Sequence, residues 1–255
     1  MAQTADSRHP RDRFITIYGR NPVLEALAEE GLAYDKLLLA RSAKGEAAEE
    51  ILAAARARGV AVVRCDAHEV SRVSRHPNQD QGVVLDVLAP RQSSVEHFTA
   101  GLGATARCRL LALDGLTTPA NVGMAIRSAV AAGLDGVVLP RRGTSDVNPL
   151  VIKASAGTIF KARLIRADDI GHALRRLQEA QFTCLGLTMG AADDLFSVAL
   201  PERAVFVIGA ETEGLSREAL ALLDGQVAIP MAAGIDSLNA AVTAALVAFE
   251  VKRRG

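Results

Sequence analysis

The chain has 255 residues, of which 49% are hydrophobic, with no Trp and only 4% aromatic residues, so any core is built from Ala, Val, Leu and Ile. Lys plus Arg equals Asp plus Glu at 29 each. That neutrality argues mildly against a generic nucleic-acid binder, and RNA contact must rest on local patches. No apolar run is long enough to span a membrane, the N-terminus is polar, and Cys65, Cys108 and Cys184 lie far apart without a CxxC pairing. The expectation is a reduced, cytoplasmic protein with no membrane partner.

Residues 1–14 are polar and are expected to be disordered. From 15 to 89, short apolar runs (FITIY, KLLLA, VAVVRC, GVVLDVLA) alternate with helical segments (PVLEALAEE, GEAAEEILAAARARG, AHEVSRVS), which predicts a small α/β domain. Asn21 before Pro22 reads as a helix cap. Residues 90–108 lose the alternation and read as a linker with a short helix at most. Their GLGATA fits the dinucleotide pattern GxGxxA, but no strand precedes it and no acidic residue follows at the required distance, so the match is set aside. From 109 to 255 alternation returns (RLLALD, GVVLP, KARLIR, FTCLGLT, AVFVIG, QVAIP, each followed by helix or loop). This predicts a mainly parallel sheet covered on both faces. Ligands of such sheets sit beyond the carboxyl ends of strands, which directs attention to the loops after Leu113, Leu187, Ile208 and Ile229.

Three stretches there carry polar residues. In DGLTTPANVGMAIRSA, Asn121 fits a cap or first-turn position, and Gly123 precedes Arg127 by four residues. The two share a helix face, so the glycine reads as leaving room for a ligand beside the guanidinium; a plain salt bridge with an incidental glycine reads as well. In VFVIGAETEGLSREAL, Gly209 and Gly214 flank Glu211 and Glu213, and Ser216 reads as a cap. Two carboxylates suit a cationic or hydroxyl-bearing ligand better than a phosphate. In VAIPMAAGIDSLNAAVTAALVAFEVKRR, Ser237 to Asn239 read as the start of the last helix, running to about Arg253. Its apolar stripe is Leu238, Val242, Ala245, Leu246 and Phe249.

In order, N-x-G-x-x-x-R, G-x-E-x-x-G-L and I-P-M-x5-S-L-N resemble the signature motifs of the SpoU (TrmH-type) RNA ribose 2′-O-methyltransferases of the SPOUT superfamily. The resemblance covers residues 109–255. It reaches more loosely into the N-terminal unit, where GRNPVLEAL and NQDQGVVLDV look like the small substrate-binding domain of the bacterial rRNA branch. It implies a deep trefoil knot in the C-terminal sheet, S-adenosyl-L-methionine as cofactor, RNA as partner with ribosomal RNA foremost, and a homodimer joined through the last helices. By the same resemblance, Asn121, Arg127, Glu211, Ser237 and Asn239 are the catalytic set. Thr188, Gly209, Ile229, Met231 and Leu238 frame the cofactor. Thr212 stands where the second motif often has Gly.

Arg72 with Arg75, Arg141 with Arg142, and the tail Lys252, Arg253 and Arg254 are the candidate RNA contacts, together with Arg127; ordinary solvated charge explains each patch equally well. The competing readings are a non-catalytic RNA-binding or ribosome-assembly factor of the same fold, and a tRNA or antibiotic-resistance methyltransferase of the same family. A dinucleotide-dependent oxidoreductase is a distant third. No metal is expected, because His9, His68, His76, His97 and His172 are scattered and form no ligand motif.

Overall fold

The computed structural model describes residues 14–28, 32–88, 92–103, 106–233 and 237–255, and the chain divides into two compact units, 1–89 and 90–255. The N-terminal stretch expected to be disordered lies, apart from Phe14, outside the described residues.

The first unit runs β1 (Phe14–Tyr18), α1 (Arg20–Ala28), β2 (Tyr34–Ala40), α2 (Glu46–Ala57), β3 (Ala61–Cys65), α3 (Ala67–Ser74) and β4 (Val83–Leu88). Its sheet has the order β1-β4-β2-β3, with β4 antiparallel to both neighbours and β2 parallel to β3. β4 is central, and its near-continuous VVLDVL follows from burial on both faces. The polar interruption, Asp86, is buried and accepts a 2.8 Å hydrogen bond from Thr16 Oγ1; burial pushes its carboxyl pKa up. Helix α1 begins one residue before Asn21, so Asn21 is not its cap. The Gln81 side chain takes that part, accepting from the Arg20 N–H at 3.0 Å.

The second unit runs β5 (Gln92–Ser94), α4 (Val95–Ala100), β6 (Cys108–Leu113), α5 (Pro119–Ala132), β7 (Gly136–Pro140), α6 (Pro149–Ala154), a 3₁₀ turn (Thr158–Lys161), β8 (Leu164–Ala167) and α7 (Ile170–Glu179). It continues with β9 (Thr183–Leu187), β10 (Asp193–Asp194), β11 (Arg203–Ile208), α8 (Arg217–Leu220), β12 (Gly225–Ala228) and α9 (Ala240–Arg253). The sheet order is β10-β12-β9-β11-β6-β7-β8-β5, and all of its paired strands are parallel. The chain builds outward from β6 through β7 and β8 on one side, then returns through β9, β11 and β12 on the other. The boundary between β6 and β11 is therefore the topological switch point, and the crevice beyond their carboxyl ends is the place for a ligand.

Two expectations need correcting. The stretch 90–108 is more than a linker: β5 is the edge strand beside β8, and Val95 and Phe98 of α4 are buried in the core of this unit. The last helix starts at Ala240, three residues later than Ser237 suggests, and its cap is Asn239, whose side chain accepts from Ala241 N–H at 2.9 Å and Val242 N–H at 3.3 Å.

α9 buries Ala240, Ala241, Ala244, Val247, Ala248 and Val251 and packs on α5. The stripe read from the sequence is the other side of the helix, and Val242 and Phe249 on it are 46% and 49% exposed. The basic tail is committed locally. Arg253 and Arg254 both bond the buried Glu250, and Arg254 also donates to the carbonyls of Leu195 and Val198. These guanidiniums, Arg253 first, hold the Glu250 carboxyl down at about 2.

All three cysteines are free and buried, and burial pushes the Cys108 and Cys184 thiols up to about 12. Among the described residues no helix is long and apolar enough to cross a membrane, and no group of His, Cys, Asp and Glu is placed to hold a metal ion.

Candidate active site

Helix α5 leaves the end of β6 through Asp114 and Gly115. Thr118 is its cap position, and Pro119 occupies the first turn, where a missing N–H costs nothing. This places Asn121 in the first turn, buried, at the crevice. Across the switch point, β11 ends at Ile208, Gly209 follows and the chain doubles back, with Ala210 and Gly214 exchanging two backbone hydrogen bonds of 2.9 Å. A Cβ on Gly209 would sit 2.2 Å from the Gly214 carbonyl carbon, so this lobe closes only with glycine there. Glu211 stands at its tip.

Three elements meet on one carboxylate oxygen. Glu211 Oε1 accepts from Asn121 Nδ2 at 2.8 Å, from the backbone N–H of Ala240 at 3.2 Å, and from Asn239 Nδ2. Asn239 Nδ2 also lies 3.2 Å from Asn121 Oδ1. Each amide is thus fixed in orientation: the oxygen of Asn239 caps α9, and its nitrogen holds Glu211 and Asn121. Asn239 therefore directs its amide at the protein and not into the ligand space.

The lobe is tied down from below by Asp114, which the sequence reading did not single out. Its buried carboxylate accepts from the Ser216 N–H at 2.6 Å, while Ser216 Oγ caps α8 through Ala219 N–H at 3.1 Å. The available signal was a carboxylate directly after the apolar run LLAL and directly before a glycine, Gly115, which in the fold takes φ +75°.

Beside this cluster lies a cavity of about 440 Å³, within the usual range for small-molecule sites. Thr188, Gly209, Ile229, Met231 and Leu238 all line it, as do Glu211 and Ser237. Apolar walls come from Leu187, Ile208 and Val227. Among the described residues that line it there is no Lys, Arg or His, while Glu211 and Glu213 are both present. A phosphate-bearing ligand is therefore disfavoured, and an apolar ring carrying hydroxyl or positively charged groups fits.

The structure revises the reading of Gly123. A Cβ there would come within 2.5 Å of the Val151 carbonyl oxygen, 2.6 Å of Ala154 Cβ and 2.9 Å of Ser155 N. Its missing side chain lets α6 press against α5; it does not open space beside Arg127. Arg127 is exposed, and among the described residues nothing forms a hydrogen bond or ion pair with its guanidinium.

The remaining arginines differ in their commitments. Arg142 pairs with Asp169, which also caps α7 through His172 N–H at 2.7 Å. Arg141 is exposed beside it. Arg72 and Arg75 belong to the first unit; both are exposed, and Arg72 lies 3.8 Å from Glu69.

A ligand cavity at the switch point of a parallel sheet, with no Lys, Arg or His among its described lining residues and closed by a carboxylate shared between two asparagines, defines an α/β protein for an apolar ligand carrying hydroxyl or positively charged groups. Within that class, the chain belongs to the SpoU family of RNA 2′-O-ribose methyltransferases. Residues 109–249 match the SpoU rRNA Methylase family, and residues 16–93 match the family described as RNA 2′-O ribose methyltransferase substrate binding.

A 23S rRNA (guanosine-2′-O-)-methyltransferase RlmB of Xanthomonas axonopodis pv. citri is 32% identical over 93% of this chain and 96% of its own length. An uncharacterized tRNA/rRNA methyltransferase of Mycolicibacterium vanbaalenii is 31% identical over 99% of this chain and 81% of its own. Among solved structures, the SpoU methyltransferase AviRb of Streptomyces viridochromogenes, in complex with AdoMet, is 25% identical with a TM-score of 0.66, covering 96% of this chain and 91% of that one.

Proposed function

We propose that the chain transfers a methyl group from S-adenosyl-L-methionine to a ribose 2′-hydroxyl of structured RNA, with ribosomal RNA as the substrate class. The observation that carries this reading is the cavity walled by Thr188, Gly209, Ile229, Met231 and Leu238 and closed by Glu211, with no Lys, Arg or His among its described lining residues. The apolar walls suit adenine, and the two glutamates suit the ribose hydroxyls and the positive end of the donor. When bound, the donor supplies an electrophilic methyl on a sulfonium.

The chain's own residues have separable tasks in this proposal. The Asn121–Glu211–Asn239 cluster fixes the first turn of α5, the 209–214 lobe and the start of α9 as one rigid frame. Ser237, exposed at the cavity wall, faces the ligand space as a hydroxyl donor and acceptor. Arg127 receives the RNA: a guanidinium stays protonated, so it holds a phosphate and stabilises negative charge on the attacking oxygen, does not act as the base, and leaves the hydroxyl proton to pass to solvent as the methyl leaves the donor's sulfur. Arg141 and Arg142 are further candidate RNA contacts, and Arg142 must first leave Asp169.

The proposal includes a homodimer. Val242 and Phe249 are exposed apolar residues on α9, with half-buried Leu246 between them, in support of pairing between copies. It also includes the trefoil knot that the family resemblance implies.

The test is label transfer from methyl-tritiated S-adenosylmethionine into separated, unmodified rRNA and tRNA. Label in rRNA that is reduced about a hundredfold or more by Arg127→Ala is the expected result. Label confined to tRNA corrects the substrate class. No label in either, with no donor binding, overturns the proposal in favour of a non-catalytic binder.

A further inference from the structure

The first unit carries a built surface that neither the cavity nor the catalytic cluster uses. The ring of Tyr18, at the end of β1, stacks on His76 with centroids 4.8 Å apart and planes 19° from parallel. One imidazole face rests on Tyr18, and His76 as a whole is exposed to solvent.

The loop that presents it, between α3 and β4, is held from inside. Buried Asp80 accepts from Ser71 Oγ at 2.9 Å, Ser74 Oγ at 2.8 Å and Gly82 N–H at 2.9 Å, and Ser74 Oγ accepts from His76 N–H at 3.1 Å. Arg75 and Gln81 bracket the loop with φ of 60° and 51°, left-handed conformations that other residues than glycine rarely keep without a tertiary cause. Gln81 reaches Arg20 N–H, and beside it an open hollow is lined by Arg20, Asn21, Glu50 and Gln81.

These groups match one kind of ligand. A phosphate site would be uniformly cationic, but the hollow mixes donors (Arg20, Asn21) with an acceptor (Glu50), as the edge of a base requires. The stacked ring and the hollow are carried by the same two segments, Tyr18 and Arg20 at the junction of β1 and α1, and His76 and Gln81 on the 75–82 loop. The ring offers the flat face of that base a platform, and exposed Arg75 on the same loop serves the backbone. We infer that the Tyr18–His76 stack with the Arg20–Asn21–Glu50 hollow is a reading site for an unpaired RNA base. The inference rests on the methyltransferase reading only in taking RNA as the partner.

The experiment uses the full chain and two probes: an RNA hairpin with 2-aminopurine in its unpaired loop, and a fully paired duplex. With no Trp and two Tyr in the chain, the probe's fluorescence is read cleanly. Binding of the wild type should quench the loop probe. His76→Ala should weaken hairpin binding about tenfold and abolish the quench while leaving duplex affinity unchanged. His76→Phe, which keeps a stacking ring, should retain both.

Hairpin binding and quench in His76→Ala equal to wild type overturn the site. So does a His76→Phe protein that behaves like His76→Ala, or equal weakening toward the duplex, or a wild type that binds no looped RNA. Donor binding and methyl transfer, measured on the same preparations, judge the catalytic reading separately, because neither depends on the outcome of the hairpin assay.

Discussion

Replacing Gly123 by Ala separates two accounts of the same residue by the sign of the stability change. If the glycine merely leaves open space beside Arg127, Ala adds helix propensity, and α5 gains about 1 kcal/mol. The structure argues otherwise. The new methyl would meet three atoms inside 3.0 Å, two of them backbone atoms of α6 and its C-terminal turn, which cannot rotate away. Overpacking of this kind costs about 1–3 kcal/mol, and with backbone on two sides the upper end applies. After the propensity gain, a net loss of about 2 kcal/mol remains.

Gly171→Ala is the internal control. It is also a helical glycine, and its Cβ would come within 2.0 Å of Glu218, but the obstacle is the far end of a half-exposed side chain paired loosely with Arg175 at 3.3 Å. That side chain can swing away, so this variant should be neutral or slightly stabilised. Urea unfolding followed by circular dichroism reads both, with the transition of the second unit identified as the one that S-adenosylhomocysteine shifts. A Gly123→Ala protein as stable as wild type, or more so, refutes the close-packing account.

Asp114→Ala should free the lobe carrying Glu211; a hydrogen bond from backbone to a buried carboxylate contributes about 1.5–3 kcal/mol, and calorimetry should show donor affinity falling tenfold or more, with Asp114→Asn recovering part of it. Because Glu250 is held at about 2 in the fold against 4.5 unperturbed, its ion pairs contribute fully above pH 4.5 and are lost as pH falls toward 2. Glu250→Gln should flatten that acid-side loss in a series of thermal melts; an unchanged pH profile would remove Glu250 from the account. Cys108 and Cys184, with thiols near 12, should ignore an aromatic disulfide reagent at pH 8 in the native protein and react once urea unfolds it. Rapid native-state labelling of either would contradict their burial.

Much of the architecture is legible in apolar runs, because β6, β7, β9 and β11 are buried on both faces and show almost unbroken hydrophobic sequence. The misreadings have specific causes. Gln92–Ser94 forms an edge strand of polar residues, so no apolar run announces it. Spacing of four residues puts Gly123 and Arg127 on related positions of a helix but says nothing of which neighbour that surface meets. In α9, alanines at 240, 241, 244 and 248 form the packed side while larger residues at 242 and 249 stay outside, so hydrophobicity alone selects the wrong stripe. The convergence of Asn121, Glu211 and Asn239 is visible only through ordered motifs, since 90 and 118 residues separate the partners.

Those separations also set a timetable. A carboxylate that needs Asn121, Asn239 and Ala240 at once has no partial version of its geometry, and contacts of such span form late because each closes a long loop before it is rewarded. On the ribosome, Asn121 and Glu211 are made well before α9 exists. The emerging chain therefore remains unable to assemble its ligand pocket until nearly all of it has been synthesised, and competence arrives in a single late step.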